Sequence, residues 1–562
     1  MFRCLVCKNS FGLRNVIGER ILLAIALAYA VCAGAETATS LADGSSTAGH
    51  SPTSVGVSLR TTRSEAVSQE AVTSESRGSL PNIVLILADD LGYGEVGCYG
   101  QKKIRTPNLD RMAAEGMRFL QFYAGAPVCA PSRCVLLTGK HLGHAAIRDN
   151  SEVQPEGQWP LPAEEITIAE LLKKRGYATA AIGKWGLGPP HSSGDPNAQG
   201  FDLFFGYNCQ RHAHNHYPHW LYRNHEKVIL NNPDFPAHQR FPSDLDPRDP
   251  AAYSRFSGQE YAPDRMVEEA LQFIRENRDR PFFLYFATTL THLALQVPED
   301  SLKEYLGRFP ETPYLGDRGY LPCLAPRATY AAMVSRLDRH VGMLIEEIKK
   351  LGLARNTLVL FTSDNGPTHG RGGGPEDGVG GSDSVFFESA GPFRGLKGSV
   401  FEGGIRVPMI AWWPEHVPAG TVSDHVAAFY DILPTVAELA SVEVPPGVDG
   451  ISFLPTLLGH PEKQRKHDYL VWEFYGYGGQ QAVRFGRWKA VRQQCYKNPD
   501  GPLMLFNLES DPGEQADLAA QHPELVKQAE NILQKEHSES PFWDFRLKRH
   551  GPPKVIEAAS AP

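Results

Sequence analysis

Short apolar runs alternate with amphipathic segments from Pro81 onwards, and this alternation restricts the fold more than any other feature of the sequence. Residues 83–88, 282–287 and 357–362 are continuously apolar or β-branched, which is typical of strands buried on both faces of a parallel sheet. Helix signals separate them, with helices predicted at 107–116, 167–176, 328–351 and 431–440 and a further strand at 179–182. The pattern predicts the α/β class, with a large, mostly parallel sheet flanked by helices.

The sequence changes character near residue 430. Residues 467–492 are rich in aromatic and β-branched residues interrupted by glycine, which favours antiparallel hairpins, and residues 523–536 favour a final helix. We therefore expect a main α/β domain at 80–430 and a smaller C-terminal α+β subdomain with a short antiparallel sheet at 431–562.

The first 79 residues are expected to stand outside the folded region. Residues 1–35 combine basic residues, an apolar stretch at 21–31 and small residues at 33–35, as a secretory signal peptide does. The alternative is a signal anchor that stays uncut. Residues 36–79 are rich in Ser and Thr and contain no aromatic residue, which predicts a disordered spacer. The protein is therefore expected to be exported, to the periplasm or the medium, without a membrane span after signal cleavage.

Charge and cysteine content exclude other classes of protein. The formal net charge is −8, so a nucleic-acid partner is not expected, because such proteins need an excess of positive charge to neutralise phosphates. Six cysteines follow residue 35, spread too widely to form the disulfide framework of a small secreted domain.

Polar residues follow four of the predicted strands, where ligands gather in open α/β sheets. They are Asp89, Asp90, Lys184, His292, Asp364 and Asn365. The three carboxylates and the amide form an all-oxygen set that suits Ca²⁺ better than Zn²⁺. The alternative is that each aspartate is a turn or cap residue after its strand.

The segment Cys-Ala-Pro-Ser-Arg at 129–133 is expected to begin a helix, since Pro131 suits a first helical turn. Cys129 would then lie at a helix N-terminus, which favours an anion. Arg133 lies on the same helical face, and its planar fork of donors suits an oxyanion. The alternative is that Cys129 is half of a disulfide.

Several segments together resemble the sulfatase family. CAPSR-CVLLTG at 129–139 resembles its first signature and GYATAAIGKWGLG at 176–188 its second. FTSDNGP at 361–367, GLKGSVFEGGIRVP at 395–408 and LFNLESDPGEQADLA at 505–519 resemble further blocks of the family, in the expected order.

The resemblance implies an alkaline-phosphatase-like fold and a formylglycine-dependent sulfuric ester hydrolase. Cys129 would be oxidised to Cα-formylglycine by a formylglycine-generating or sulfatase-maturing enzyme. One Ca²⁺ would be held by Asp89, Asp90, Asp364 and Asn365, with residue 129 itself at the metal. Arg133, Lys184, His292 and Lys397 would match active-site positions of the family.

The chemistry of such a site can be stated from its groups. A hydrated aldehyde carries two hydroxyls on one carbon, so that one can attack sulfur and the other can expel sulfate by reforming the carbonyl, an exit that a thiol or serine lacks. The metal, Arg133, Lys184 and Lys397 would stabilise the sulfuryl oxygens. His292 is the best candidate for the general acid that protonates the departing alkoxide. For a lone lysine, a solvated surface position remains the alternative.

One position departs from the family pattern. The family usually has histidine where this chain has Gly186, and that histidine contacts the formylglycine hydroxyl. We expect another histidine to supply the imidazole. His212, His214 and His216 would share one face if the tract were extended. Among them His214 is favoured, and a transition-metal site from this tract is the alternative.

The predicted function is hydrolysis of a sulfate ester, on a sulfated small molecule or glycan, with carbohydrate as the favoured class. The histidine- and aromatic-rich insertion at 190–262 supports that preference. A metal-dependent phosphatase or phosphonate hydrolase on the same fold is the second hypothesis, and a non-catalytic glycan-binding protein the third. The Gly-rich segment 370–381 lacks the Lys-Ser/Thr ending of a P-loop, so nucleotide binding is not expected, and it is predicted to be a loop.

Overall fold

In the computed structural model of the protein, residues 80–154, 156–368, 378–547 and 551–554 are described. The predicted signal peptide, the predicted spacer and most of the Gly-rich segment lie outside these ranges.

Strands and helices alternate through the first half of the described chain. The strands are β1 Asn82–Ala88, β2 Met117–Phe119, β3 Phe122–Tyr123, β4 Ala178–Lys184, β5 Leu203–Tyr207, β6 Trp220–Arg223, β7 Glu226–Ile229, β8 Phe282–Ala287, β9 Thr357–Ser363, β10 Met409–Trp412, β11 Thr421–Ser423, β12 Ala427–Ala428, β13 Leu470–Phe474, β14 Gln480–Phe485, β15 Trp488–Gln493 and β16 Met504–Asn507. The α-helices are α1 Pro107–Ala114, α2 Cys129–Thr138, α3 Ile168–Lys173, α4 Ala262–Glu276, α5 Glu299–Leu302, α6 Pro326–Lys350, α7 Glu402–Ile405, α8 Ile432–Leu439, α9 Leu454–Leu457 and α10 Pro523–Lys535.

Ten strands form one large mixed sheet in the order β11-β2-β10-β9-β1-β8-β4-β5-β6-β7. Its centre, from β9 to β5, is parallel throughout, as the apolar runs predict. Antiparallel pairings occur towards the edges, where β10 joins β9 and β6 joins β5. Every residue of β1, β4, β8 and β9 is buried, which explains why these segments show no polar alternation.

Helices cover both faces of this sheet. Leu85 and Leu87 of β1 point into a core shared with α2, α3 and α8. Val84 and Ile86 point into the opposite core, which α1, α4 and α6 close. The α/β fold predicted from the sequence is confirmed.

The parallel register brings the carboxyl ends of the central strands to one edge. Ala88 at the end of β1 pairs with Ser363 of β9, and Leu87 pairs with Ala287 of β8. Gly183 of β4 also pairs with Ala287. The polar residues that follow these strands therefore emerge side by side.

Local helix signals were mostly correct. Thr167 and Glu170 form a capping box at the start of α3, in which the Thr167 hydroxyl accepts from the Glu170 amide and the Glu170 carboxylate accepts from the Thr167 amide. Thr106 precedes α1, but its hydroxyl accepts a hydrogen bond from the Gly97 amide instead of capping the helix. Pro107 has no amide hydrogen to satisfy, and the amides of the next two residues donate to the Asp338 carboxylate.

A separate four-stranded antiparallel sheet lies in the C-terminal part, in the order β13-β14-β15-β16, which confirms the predicted hairpins. Helix α10 covers one face of it through Ile532 and Leu533. Trp472 and Phe506 join the core of the large sheet instead. The domain boundary at residue 430 stays a prediction. No helix in the described ranges is long and apolar enough to cross a lipid bilayer.

A buried charged group ties the small sheet to the main domain. Lys489 of β15 lies 2.9 Å from a carboxylate oxygen of Glu402 in α7 and 3.0 Å from one of Glu514, and all three side chains are fully buried. Burial would raise the pKa of Glu402, but Lys489 lowers it to about 2. Burial raises the pKa of Glu514 to about 7. One lysine therefore lies between two buried acids, and Arg406, 3.3 Å from Glu402, adds a second cation.

We predict that Lys489→Met destabilises the protein strongly, because it removes the cation that lies between the buried carboxylates of Glu402 and Glu514 and leaves Glu402 only its contact with Arg406. The expected loss of unfolding free energy is about 3–5 kcal/mol, measured by denaturant unfolding. The matched control is Lys527→Met on the exposed face of α10, which should change stability by less than about 0.5 kcal/mol. Equal effects of the two substitutions would contradict the assigned role of Lys489.

Candidate active site

Cys129 is the first residue of α2 and is almost completely buried. Val128 before it is extended, and Pro131 falls in the first helical turn, as predicted. The Cys129 Sγ lies 3.3 Å from the Lys184 Nζ and 3.5 Å from the Lys397 Nζ. Two cations from different parts of the chain thus meet at this side chain.

The Cys129 thiol is neither a disulfide partner nor an activated thiolate. All six cysteines in the described part of the chain are free, so the disulfide alternative is wrong. Burial raises the pKa of Cys129 to about 12, although the two lysines act in the opposite direction. Because the thiolate is the nucleophilic form, Cys129 as it stands is poorly suited to attack a substrate.

Three carboxylates surround this cysteine, and each is paired with a cation. Asp89 lies 2.8 Å from the Lys184 Nζ and Asp90 lies 2.7 Å from the Lys397 Nζ. Asp364 lies 2.7 Å from Arg133. Three negative and three positive side chains, all buried, therefore balance one another at the edge of the sheet.

Arg133 differs from its expected role. Its Nε and one terminal nitrogen both donate to the Asp364 carboxylate, and the other terminal nitrogen donates to the Lys184 carbonyl oxygen. The guanidinium donors of Arg133, which were expected to bind an oxyanion, are thus occupied by Asp364. Arg133 positions Asp364 and the end of β4.

The acidic residues fit a hard divalent cation. Ligand atoms of Asp89, Asp90, Cys129 and His292 all lie within 4.8 Å of one another. The Asn365 Oδ1 is buried and has no hydrogen-bond partner in the described part of the chain, while its amide nitrogen donates to Asp90. A buried amide oxygen without a donor costs free energy unless something else satisfies it, and a cation would.

The pKa values of these carboxyls diverge. Burial would raise the pKa of Asp90, but Lys397 and His292 hold it well below its usual range. Burial and the neighbouring Asp89 raise the pKa of Asp364 to about 6. Crowding of like charges thus remains partly uncompensated, which is the condition that a bound cation relieves.

His292 follows β8 and has a defined tautomer. Its Nδ1 lies 2.6 Å from the Leu293 carbonyl oxygen, which can only accept, so we assign the proton to Nδ1. Its Nε2 lies 3.7 Å from an Asp90 oxygen and carries a lone pair in the neutral ring. Burial and the two lysines lower the pKa of His292 well below its usual value. The acid role predicted for His292 therefore requires Nε2 to take up a proton first.

His214 stacks on His292, with ring centroids 4.9 Å apart, so the structure brings the favoured histidine to the site. Its Nδ1 lies 2.9 Å from the His238 Nε2, and the His238 Nδ1 accepts from the Tyr320 amide. An amide can only donate, so His238 carries its proton on Nε2 and donates it to His214. Neutral His214 then carries its proton on Nε2 and is a donor.

The rest of the histidine tract has other contacts. Residues 212–214 form a 3₁₀ turn, not an extended segment, so the three histidines do not share a face. His216 donates a hydrogen bond from Nε2 to the His292 carbonyl oxygen and so helps to hold the backbone of that residue in place. His212 packs on Trp220, and burial lowers its pKa to about 3. Within the described ranges, the tract does not form a metal-binding cluster.

Gly186 is required by its surroundings. Its φ is +80°, and an added Cβ would lie 2.6 Å from the Gln210 Nε2. A side chain at 186 would therefore be strained by this φ, and the end of the Gln210 side chain, a buried amide nitrogen that lacks a partner in the described chain, would have to move. Sequence reasoning missed Gln210 and His238, since a lone glutamine or histidine in an insertion carries no recognisable pattern.

A second histidine cluster lies at the other end of α2. His141 and His144 stack on each other and pair with Glu536 and Asp449. The Gly143 amide donates to the His141 Nδ1, so the proton sits on Nε2 and is shared with Glu536. A metal would need that nitrogen free of its proton, so this cluster is a hydrogen-bonded network.

The comparisons with known proteins agree with this geometry. Residues 81–442 match the family model described as Sulfatase, and residues 396–539 match that described as N-sulphoglucosamine sulphohydrolase, C-terminal. The human N-acetylgalactosamine-6-sulfatase is 33% identical over 82% of this chain and 86% of its own length. Human arylsulfatase A is 33% identical over 80% of this chain and 86% of its own.

A solved structure shows the same fold. The crystal structure of Ps i-CgsB in complex with k-i-k-neocarrahexaose is 28% identical, with a TM-score of 0.66, over 82% of this chain and 94% of that one. With the family model matching well over half of the sequence, the chain belongs to the sulfatase family and is a sulfuric ester hydrolase.

Proposed function

We propose that the enzyme removes sulfate from a sulfated carbohydrate through a Cα-formylglycine at position 129 and one bound Ca²⁺. The observation that carries this proposal is the pair of buried lysines within 3.5 Å of the residue 129 side chain. Among similar proteins, one is named for N-acetylgalactosamine 6-sulfate and another was solved with a carrageenan oligosaccharide. These names support carbohydrate as the substrate class.

Oxidation of Cys129 explains why a buried, protonated thiol stands at the centre of the site. An aldehyde hydrate supplies an oxygen nucleophile without the need for a thiolate. The helix N-terminus and the two lysines favour negative charge at this position. The maturing enzyme that performs the oxidation is part of the proposal.

Ca²⁺ would be held by Asp89, Asp90, Asp364 and Asn365, with residue 129 beside it. When bound, it would supply Lewis-acid polarisation of the sulfate oxygens. The three carboxylates are already balanced by Lys184, Lys397 and Arg133, so a divalent cation would leave the site with positive charge. A sulfate monoester carries the complementary negative charge.

The two stacked histidines divide the proton transfers. His292 presents a lone pair on Nε2 towards Asp90 and would take the proton that one hydroxyl of the hydrated aldehyde loses as its oxygen attacks sulfur, and would return that proton to the leaving sugar oxygen. His214 holds its proton on Nε2 through His238 and would donate a hydrogen bond to a sulfate oxygen. His214 would therefore supply the imidazole missing at Gly186 as a donor and not as a base, since a base needs that nitrogen free.

Export through the segment at 1–35 also remains a proposal. The described cysteines form no disulfide, so the described structure is compatible with both a reducing and an oxidising compartment.

The first test compares 4-nitrophenyl sulfate with 4-nitrophenyl phosphate under identical conditions. We predict a higher kcat/KM for the sulfate ester, and its loss in Cys129→Ala. A phosphatase or phosphonate hydrolase on this fold would show the reverse preference. A non-catalytic glycan-binding protein would bind a saccharide but would hydrolyse neither ester, with or without Cys129.

Calcium is tested by its effect on stability. We predict that adding Ca²⁺ to chelator-treated protein raises Tm, because a ligand that binds only the folded state stabilises it. Asn365→Leu removes the unpartnered oxygen, so the same rise in Tm should require about ten times more Ca²⁺. Asn498→Leu on the surface should leave the required Ca²⁺ concentration unchanged. An equal response of all three proteins would remove Asn365 from the site.

His238 is tested as a positioning residue. His238→Phe removes the donor to His214, so we predict a fall in kcat of about tenfold or more with KM little changed, since general acid–base groups contribute about 10²–10⁴-fold. His238→Gln restores a donor and should recover most of kcat. Unchanged kcat and pH profile in His238→Phe would refute the relay.

The choice of His214 over other histidines has its own comparison. His214→Ala should lower turnover strongly, whereas His144→Ala should leave it near the wild-type value, because His144 contacts Asp449 and Glu536 far from Cys129. The reverse result would show that the wrong histidine has been assigned.

A further inference from the structure

A strip of side chains runs from Cys129 to a cavity formed with the C-terminal part of the chain. The strip begins at Lys397, whose neighbour Gly398 packs against the ring of Tyr477, with only 3.0 Å between an added Cβ and the ring. It continues through Gly476, where an added Cβ would meet the Asp149 carboxylate, and ends at a cavity of about 450 Å³. None of these groups has a part in the proposed catalytic steps except Lys397.

Tyr477 is the aromatic residue that stands out on this strip. Its side chain is 54% exposed, and it is the only aromatic among the exposed large hydrophobic residues in the described chain. Its ring stacks on Phe474, with centroids 6.1 Å apart, and the side chain of Gln480, three residues further on, donates to the Gly398 carbonyl oxygen at 2.7 Å. An exposed, well-supported aromatic ring beside a catalytic lysine suits stacking on the apolar face of a sugar.

The cavity is tied to the nucleophile from its other side. The Asn150 Oδ1 accepts a hydrogen bond of 2.9 Å from the amide of Ala130, the residue after Cys129. Asp149 accepts a hydrogen bond from the Asn150 amide, and burial raises the pKa of its carboxyl to about 7. The position next to the nucleophile and the wall of the cavity are therefore one rigid unit.

The lining of the cavity indicates the class of ligand. Its volume falls within the range of about 300–1,000 Å³ typical of ligand sites. The residues that line the cavity include Asp149, Asn150, Glu152, Tyr496, Trp543 and Lys554. Trp543 belongs to a packed aromatic cluster with Tyr475 and Phe545, so this wall is preorganised. Glu152 pairs with Arg211 at 3.7 Å, so Asp149 is the carboxyl that would face a ligand, where it favours hydroxyl donors and disfavours a second sulfate.

We propose that Tyr477, Asp149 and this cavity form a saccharide subsite that binds the leaving-group side of the substrate, with an unsulfated sugar ring beyond the sulfated one. The inference rests on the proposed function and adds the substrate class: a sulfated oligosaccharide of at least two rings whose neighbouring ring is uncharged. Tyr477 stacks on a ring, and Asp149 and Asn150 accept and donate hydrogen bonds to its hydroxyls.

The test separates the subsite from the sulfate site by using two substrates. 4-Nitrophenyl sulfate fills only the sulfate site, whereas a κ-carrageenan tetrasaccharide, whose sulfated rings alternate with uncharged anhydrogalactose, also reaches the subsite. We expect Tyr477→Ala and Asp149→Leu to lower kcat/KM for the tetrasaccharide about tenfold, mainly through KM, and to leave the aryl sulfate within about twofold. Tyr477→Phe keeps the ring and should retain wild-type values.

Other outcomes overturn the subsite. An equal loss with both substrates would mean that these residues support the catalytic site, and no loss with either would mean that sugar does not bind there. Calorimetry with the same tetrasaccharide, on proteins that also carry Cys129→Ala, measures binding without turnover. If the wild-type protein hydrolyses no sulfate ester, the proposed function fails, but weaker tetrasaccharide binding by Tyr477→Ala would still support the subsite, and unchanged binding would refute it.

Discussion

Three buried carboxylates and three buried cations meet at the carboxyl edge of the parallel strands, and the rest of the site depends on this balance. Each charge alone would cost several kcal/mol to bury, so the pairs Asp89–Lys184, Asp90–Lys397 and Asp364–Arg133 must form together. The carboxylates directly follow β1 and β9, and the cations come from the end of β4, from α2 and from the segment before α7. The parallel register is what makes such a meeting possible, because it ends neighbouring strands at one level.

Much of this arrangement could be predicted from the sequence. Continuous apolar runs identify the central strands, and polar residues directly after such runs must lie at one edge, so Asp89, Lys184, His292 and Asp364 were expected together. The helix beginning at Cys129 followed from Pro131 and its neighbours. These are local patterns with a general physical meaning.

What could not be predicted depends on tertiary contacts. The Arg133 fork has several possible acceptors, and only the folded chain shows that Asp364 and the Lys184 carbonyl oxygen take it. The tautomer of His214 is determined by the Tyr320 amide through His238, over more than a hundred residues of sequence. The sequence shows only that Gly186 lacks the family's imidazole, whereas the folded chain shows that its φ is positive and that the end of the Gln210 side chain lies against it.

Whether residue 129 carries an aldehyde is the central claim, and mass spectrometry tests it directly. The tryptic peptide 119–133 contains Cys129 as its single cysteine. In active protein from a host with a maturing enzyme, we predict that this peptide has the mass of Cα-formylglycine and resists thiol alkylation. Fully active protein whose residue 129 is still an alkylatable thiol would contradict the account.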